Sequence, residues 1–185
     1  MHIHNRKIKR KKGINMIEAK LILLALIITT CSLIGFFLAK QYKDRLKELK
    51  DIRLAMNILE TKMKLTKEPI AHIFEEISYK LETENTANLF LKASDHMEYT
   101  TASNAWEEAL QTVKTSLNKE DLDMLRTFGK MIGKTDLEGQ IKEIELTNIL
   151  LEQQAEDARI KKQKNGRMYQ SLGVISGLAL CIILI

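Results

Sequence analysis

Two uninterrupted apolar runs stand toward the ends of the chain, with a long periodic stretch between them. The first, Leu21 to Ala39, has 19 residues and no charge, close to the ~20 that a helix needs to cross a hydrocarbon core. It is longer than the apolar segment of an ordinary signal peptide, and "FFLAKQYKDR" after it lacks a small-residue cleavage site. A retained anchor is the reading. The second run, Met168 to Ile185, has 18 residues, about 27 Å of helix at ~1.5 Å per residue. A core helix apolar all round needs neighbours on every side, so this run is expected to be a second span.

Between them the apolar positions step by three and four, as one face of a helix does. Leu49, Ile52, Met56, Leu59 and Met63 predict an amphipathic helix leading out of the first span. Pro69 opens a second helix with Ile70, Ile73, Phe74, Ile77 and Leu81 inward. Leu89, Phe90, Ala93 and Met97 mark a third, and Ala102, Trp106, Ala109, Leu110, Val113 and Leu117 a fourth. Asn118 is the expected N-cap of a fifth, with Leu122, Leu125, Phe128 and Ile132 inward. The sixth follows a four-three rhythm through Leu137, Ile141, Ile144, Leu151, Ala155 and Ala158, with Asn148 in the remaining seam position. No stretch alternates in the manner of a half-buried strand. The expected fold is all-α: an antiparallel bundle of about six helices flanked by two transmembrane helices. Residues 1–20 would be a basic tail, 21–39 a span, 40–167 the bundle and 168–185 the second span. The first and last polar helices would form a stalk, with the shorter ones as a cap.

Charge adds orientation. Residues 40–67 carry a net +5 and residues 159–167 another +5, whereas residues 68–158 carry −11. Basic segments next to both apolar runs predict contact with anionic membrane lipid and a cytoplasmic bundle. They also argue against nucleic acid, which would need the basic cluster on the bundle itself. The tail, with six Lys/Arg and no acid before Met16, would stay on the same side, which one span cannot allow. Translation beginning at Met16, or processing of the tail, would remove the conflict. The two cysteines, Cys31 and Cys181, lie in the apolar runs, so neither a disulfide framework nor a zinc spacing is present.

"FGKMIGKT", residues 128–135, resembles a phosphate-binding loop, but Gly129 and Gly133 are separated by three residues where that loop needs four. A helical stripe also precedes it where a strand should stand. The expectation is a helix end: Gly133 in the left-handed conformation, Thr135 and Glu138 as a capping box for the next helix, and Gly129 admitting a close neighbour. Trp106 is expected in the core, and His72 beside Glu75 and Glu76 on a surface. No catalytic constellation, cofactor site or metal site is expected. Gly35-x-x-x-Ala39 and Gly173-x-x-x-Gly177 are small-residue faces suited to close helix packing in a membrane.

The ordered landmarks "GFFLAKQY", "ASNAWEEAL", "LRTFGKMIGKTD", a long charged helix and "SLGVISGLALCIILI" resemble the stage III sporulation protein AB family, over Met16 to Ile185. The resemblance implies a component of the complex joining mother cell and forespore, in the mother-cell membrane. Its soluble part would be similar to the cytoplasmic domain of the type II secretion system F protein. The implied partners are a secretion-ATPase-like subunit, stage III sporulation protein AA, and other membrane subunits. The implied role is a scaffold without an active site. The rival reading is a membrane-tethered helical sensor or adaptor unrelated to secretion.

Overall fold

The computed structural model describes the backbone of residues 2–66, 68–134 and 136–184, and within its helices the side chains other than those of 2–17, 19, 21, 170, 181, 183 and 184. The elements are α1 (His2–Leu65), α2 (Ile70–Ser78), α3 (Glu84–His96), α4 (Ala102–Thr112), α5 (Lys119–Met131), α6 (Leu137–Lys161), a π-helical turn (Lys162–Gly166) and α7 (Arg167–Leu184). There is no strand among the described residues. The chain divides into two compact units: residues 1–40 with 164–185, and residues 41–163.

The larger unit is a bundle of six helical segments, the polar end of α1 and α2 to α6. Its core is built from the periodic stripes. Leu49, Ile52 and Met56 of α1 are fully buried, as are Phe74, Ile77, Leu89, Phe90, Trp106 and Leu125. Each such side chain contributes about 1.5–3 kcal/mol by leaving water. The stripes work because residues three and four apart share a helix face. Successive helices from α2 to α6 pack against one another in chain order. α1 and α6 run antiparallel, pinned by Arg53–Glu152 at 3.0 Å, Asn148 Nδ2 donating to Asn57 Oδ1 at 2.9 Å, and Lys64–Glu145 at 3.2 Å.

The amphipathic stripe leads out of the first apolar run within one helix, α1, as the periodicity predicts. Other boundaries differ from the periodic reading. α4 stops at Thr112, where Val113 turns extended (φ −85, ψ 128), so Leu117 reaches the core from a loop. Leu137 opens α6 half exposed, at 51%, because the first turn lies outside the packed seam. The cap of α6 is Asp136, whose carboxylate accepts from the Gly139 amide at 3.0 Å. Thr135, expected to form a capping box with Glu138, lies outside the described residues; Glu138 pairs with Lys142 at 2.9 Å.

The short helices do not sit beyond the stalk as a cap. Residues at the start of α3 and α5 bond to Asp51 and Arg45 of α1, so these helices lie alongside it. The physical reason is length. The buried face of α1 in the bundle runs from Arg45 to Met63, about 27 Å at ~1.5 Å per residue, and all of it must be covered.

In the smaller unit, α1 carries a stretch within Ile22–Leu65 with mean hydropathy 2.6 over 18 residues, long and apolar enough to cross a membrane. α7, of 18 residues, packs against it through glycines. Of the basic tail, the side chains of residues 1–17 and 19 lie outside the described residues, and Glu18 and Lys20 are exposed.

Candidate functional site

The "FGKMIGKT" string closes α5. Ile132 (φ −57, ψ 125) and Gly133 (φ 72), with the Lys134 amide donating to Met131 O at 3.2 Å, form a type II turn. Positive φ at the third position is what selects glycine there. The Gly133 amide is taken up by Gln140 Oε1 at 3.2 Å. Lys134 is exposed. The recess beside the string, lined by Phe128, Met131, Ile132 and Ile144 among others, has a volume of about 10 Å³, room for at most one water.

Gly129 and Trp106 form one unit. A Cβ on Gly129 would stand 2.1 Å from Trp106 Cδ1, so the indole lies flush on the backbone of α5. Its Nε1 donates to Leu125 O at 2.8 Å. Phe74, Phe90 and Phe128 meet the indole edge-on, with centroids 5.5, 5.2 and 5.6 Å away. This is the geometry that aromatic quadrupoles favour.

A line of buried charge on α1 is the part that periodicity alone passes over. Arg45, Glu48 and Asp51 are all buried. Arg45 grips Asp121 with both carboxylate oxygens, Nε to Oδ2 at 2.7 Å and Nη2 to Oδ1 at 2.9 Å, and also donates to Gln154 Oε1 at 2.9 Å. Asp121 in turn accepts from the Asn118 amide at 3.0 Å, while Asn118 Oδ1 accepts from the Asp121 amide at 2.8 Å. This capping box therefore ties the start of α5 to α1. Glu48 accepts from Asn85 Nδ2 at 2.7 Å and from the Ser116 amide at 2.8 Å. Asp51 accepts from the Thr83 amide at 2.7 Å, Thr83 Oγ1 at 2.6 Å and Thr86 Oγ1 at 3.0 Å. Each buried charge thus meets loop and helix-end groups that would otherwise lack partners. Hydrogen bonds to Asp121 raise the Arg45 pKa above the ordinary arginine value, overcoming the burial that opposes it. A signal was present in the sequence: Arg45 falls four residues before Leu49, in register with the stripe, where a charge demands a buried partner.

Glu68, His72 and Glu76 present ligand atoms within 4.8 Å of one another. Lys62 Nζ already occupies this trio, 2.7 Å from Glu76 and 3.4 Å from Glu68. The Lys62 hydrogen bond holds the Glu76 carboxyl below its ordinary value, and Glu76 raises Lys62 reciprocally. This is a surface ion cluster with its own cation.

In the smaller unit the two small-residue faces meet. A Cβ on Gly35 would stand 2.5 Å from Tyr169 O and 3.1 Å from Gly173 Cα, and one on Gly173 would stand 2.8 Å from Cys31 O. Gly177 faces Ile28 Cα at 3.2 Å, and Ala39 is buried. The backbones approach as closely as absent side chains allow.

Comparison with known proteins gives this arrangement a family. The profile described as stage III sporulation protein AB matches residues 20–185. The chain belongs to the stage III sporulation protein AB family. The stage III sporulation protein AB of Bacillus subtilis (strain 168) is 31% identical over 169 residues, covering 89% of this chain and 98% of that protein. A solved structure of stage III sporulation protein AB is 27% identical, with a TM-score of 0.62 over 65% of this chain and 98% of that one. The sporulation assignment and the all-helical fold therefore stand on sequence and structure together. Within this family member, the residues of the Gly-rich string serve a turn and an indole bed.

Proposed function

We propose that this sporulation protein is a non-enzymatic membrane scaffold. It couples a secretion-ATPase-like subunit, stage III sporulation protein AA, to membrane components of a secretion-like channel between mother cell and forespore. The observation that carries the reading is the charge division: −11 over residues 68–158 against +5 on each basic flank. The apolar runs and basic flanks hold the protein in the mother-cell membrane against anionic headgroups, the second run as a span. The bundle stands in the cytoplasm. Exposed carboxylates such as Glu75, Glu82, Glu84, Asp95 and Glu98 offer the partner an acidic surface on α2, α3 and the turns beside them. Most of the bundle's remaining acidity is engaged in ion pairs.

The test is a pull-down of the ATPase-like subunit by the full-length protein in detergent, titrated with salt. Affinity should fall as the Debye length shrinks from ~10 Å at 0.1 M toward ~3 Å at 1 M. Salt-independent binding would sink the electrostatic docking. Labelling of a cysteine placed at exposed Gln111, in intact cells, would refute the cytoplasmic orientation.

A further inference from the structure

The bundle leaves one two-helix face uncovered, with a continuous pattern. On α1, Lys47, Lys50, Leu54 and Ile58 recur at three- and four-residue spacing. Both lysines are exposed and make no ion pair among the described residues, and Leu54 is 43% exposed. On α6, Leu146 and Ile149 are 49% and 56% exposed, and Gln153, Glu156 and half-buried Asp157 continue the outer side toward its C-terminus. Glu156 is paired with Arg159 at 3.4 Å, and Asp157 with Lys161 at 2.7 Å and Arg45 at 3.9 Å, so that Lys47 of a second copy would join existing ion pairs. Apolar residues of this size in a row on an outward helix face mark a contact surface.

Helix geometry places both stripes on one side of the α1–α6 pair. On α1 the contact line to α6 runs through Arg53, Asn57 and Lys64; on α6 it runs through Glu145, Asn148 and Glu152. At ~3.6 residues per turn, each stripe lies about a quarter- to a third-turn beyond its contact line, in the same rotational sense along the chain. The helices are antiparallel, so equal senses bring the stripes to the same side. The Arg53–Glu152 and Asn57–Asn148 contacts also set the heights. Leu54 and Ile58 stand level with the Leu146–Ile149 segment, and Lys47 and Lys50 stand level with Glu156 and Asp157.

We propose that this face is the contact of a two-fold dimer with a second copy of the chain. A two-fold axis parallel to α1 sets α1 of one copy against α6 of the other at unchanged height. Leu54 and Ile58 then meet the partner's Leu146 and Ile149, and Lys47 meets the partner's Glu156 and Asp157. Like is placed against like for apolar groups and opposite against opposite for charges, twice over by symmetry. The axis also keeps both first helices pointing the same way, as two chains inserted in one bilayer require. The face is about 25 Å long and two helices, about 20 Å, wide. The two copies together cover about 1,000 Å², the lower bound for a specific interface. Confinement to a bilayer adds effective concentration. A parallel contact of α6 with α6 would instead bring Glu152 beside Asp157, a like-charge clash.

Full-length chains with Cys31→Ala and Cys181→Ala test this. One carries Leu54→Cys, the other Ile149→Cys, with different tags, reconstituted together in liposomes and oxidised. The mixed disulfide should dominate over both like-with-like products. In detergent, light scattering should show Ile149→Glu weakening the dimer at least tenfold, with Lys47→Glu weakening it less. Both sites are exposed, so circular dichroism should be unchanged. Absence of cross-linked chains, dominance of a like-with-like product, or a dimer indifferent to Ile149→Glu would each overturn the proposal.

Discussion

Gly129→Ala adds a single methyl group, and the structure assigns it a large cost. The new Cβ would stand 2.1 Å from Trp106 Cδ1 and 3.0 Å from both Cγ and Nε1. The obstacle is a ring held on its other sides by Phe74, Phe90 and Phe128. The indole must therefore move. Overpacking of this kind costs about 1–3 kcal/mol. Moving Nε1 from Leu125 O leaves a buried donor unpaired, about 1–3 kcal/mol more. Alanine's better helix propensity returns about 1 kcal/mol. The net expectation is about 1–5 kcal/mol of destabilisation, centred on ~3 kcal/mol. Trp106 is the only tryptophan, so its emission in a urea titration of the full-length protein in detergent reports on this site. With a slope of about 1–3 kcal/mol per molar, the midpoint should fall by about 1 M or more. Trp106→Phe removes the Nε1 group and part of the bulk, so Gly129→Ala should cost less in that background, read by circular dichroism. An unchanged or raised midpoint for Gly129→Ala, or full additivity with Trp106→Phe, would show that the indole does not block a side chain at Gly129.

Gly133→Val should destabilise by about 1–2 kcal/mol or more, because a β-branched residue is forced to φ 72. Lys134→Ala should stay within about 0.5 kcal/mol in the same urea titration. Arg45→Met should cost about 3–5 kcal/mol by leaving Asp121 buried without its cation; a midpoint like the parent's would show the pair to be dispensable. At the Lys62–Glu76 pair, the Glu76 carboxyl is depressed below 4.5 on folding. Its contribution is therefore present above that value and lost as pH falls through the folded pKa. Lys62 is raised above 10.5, so its contribution is present below that value and lost as pH rises through the folded one. Lys62→Met should flatten both limbs of the stability–pH profile, and an unaltered acid limb would contradict the assignment.

Periodicity and local spacing carried the helical fold and the apolar positions, and read the Gly-rich string as a helix end, where the structure has the Ile132–Gly133 turn. Local spacing decides these, because side chains three and four apart must share a face and because a phosphate loop tolerates no missing residue. Asn118 and Gly133 were legible for the same reason: a cap and a left-handed turn are local events. At the start of α6 the carboxylate of Asp136 caps the helix; Thr and Asp offer the same capping chemistry, and local pattern cannot choose between neighbours. Pairings between distant parts of the chain came instead from three-dimensional packing. Nothing near Arg45 announces that Asp121, 76 residues away, is its counterion. Neither does Gly129 reveal that Trp106 is the neighbour it admits. The lengthwise packing of the short helices was likewise beyond pattern, because it depends on how much of α1 must be covered. Local sequence chose the helices and their inward faces; the partners of buried charges and glycines were settled by packing, where a single geometry must satisfy every buried polar group at once.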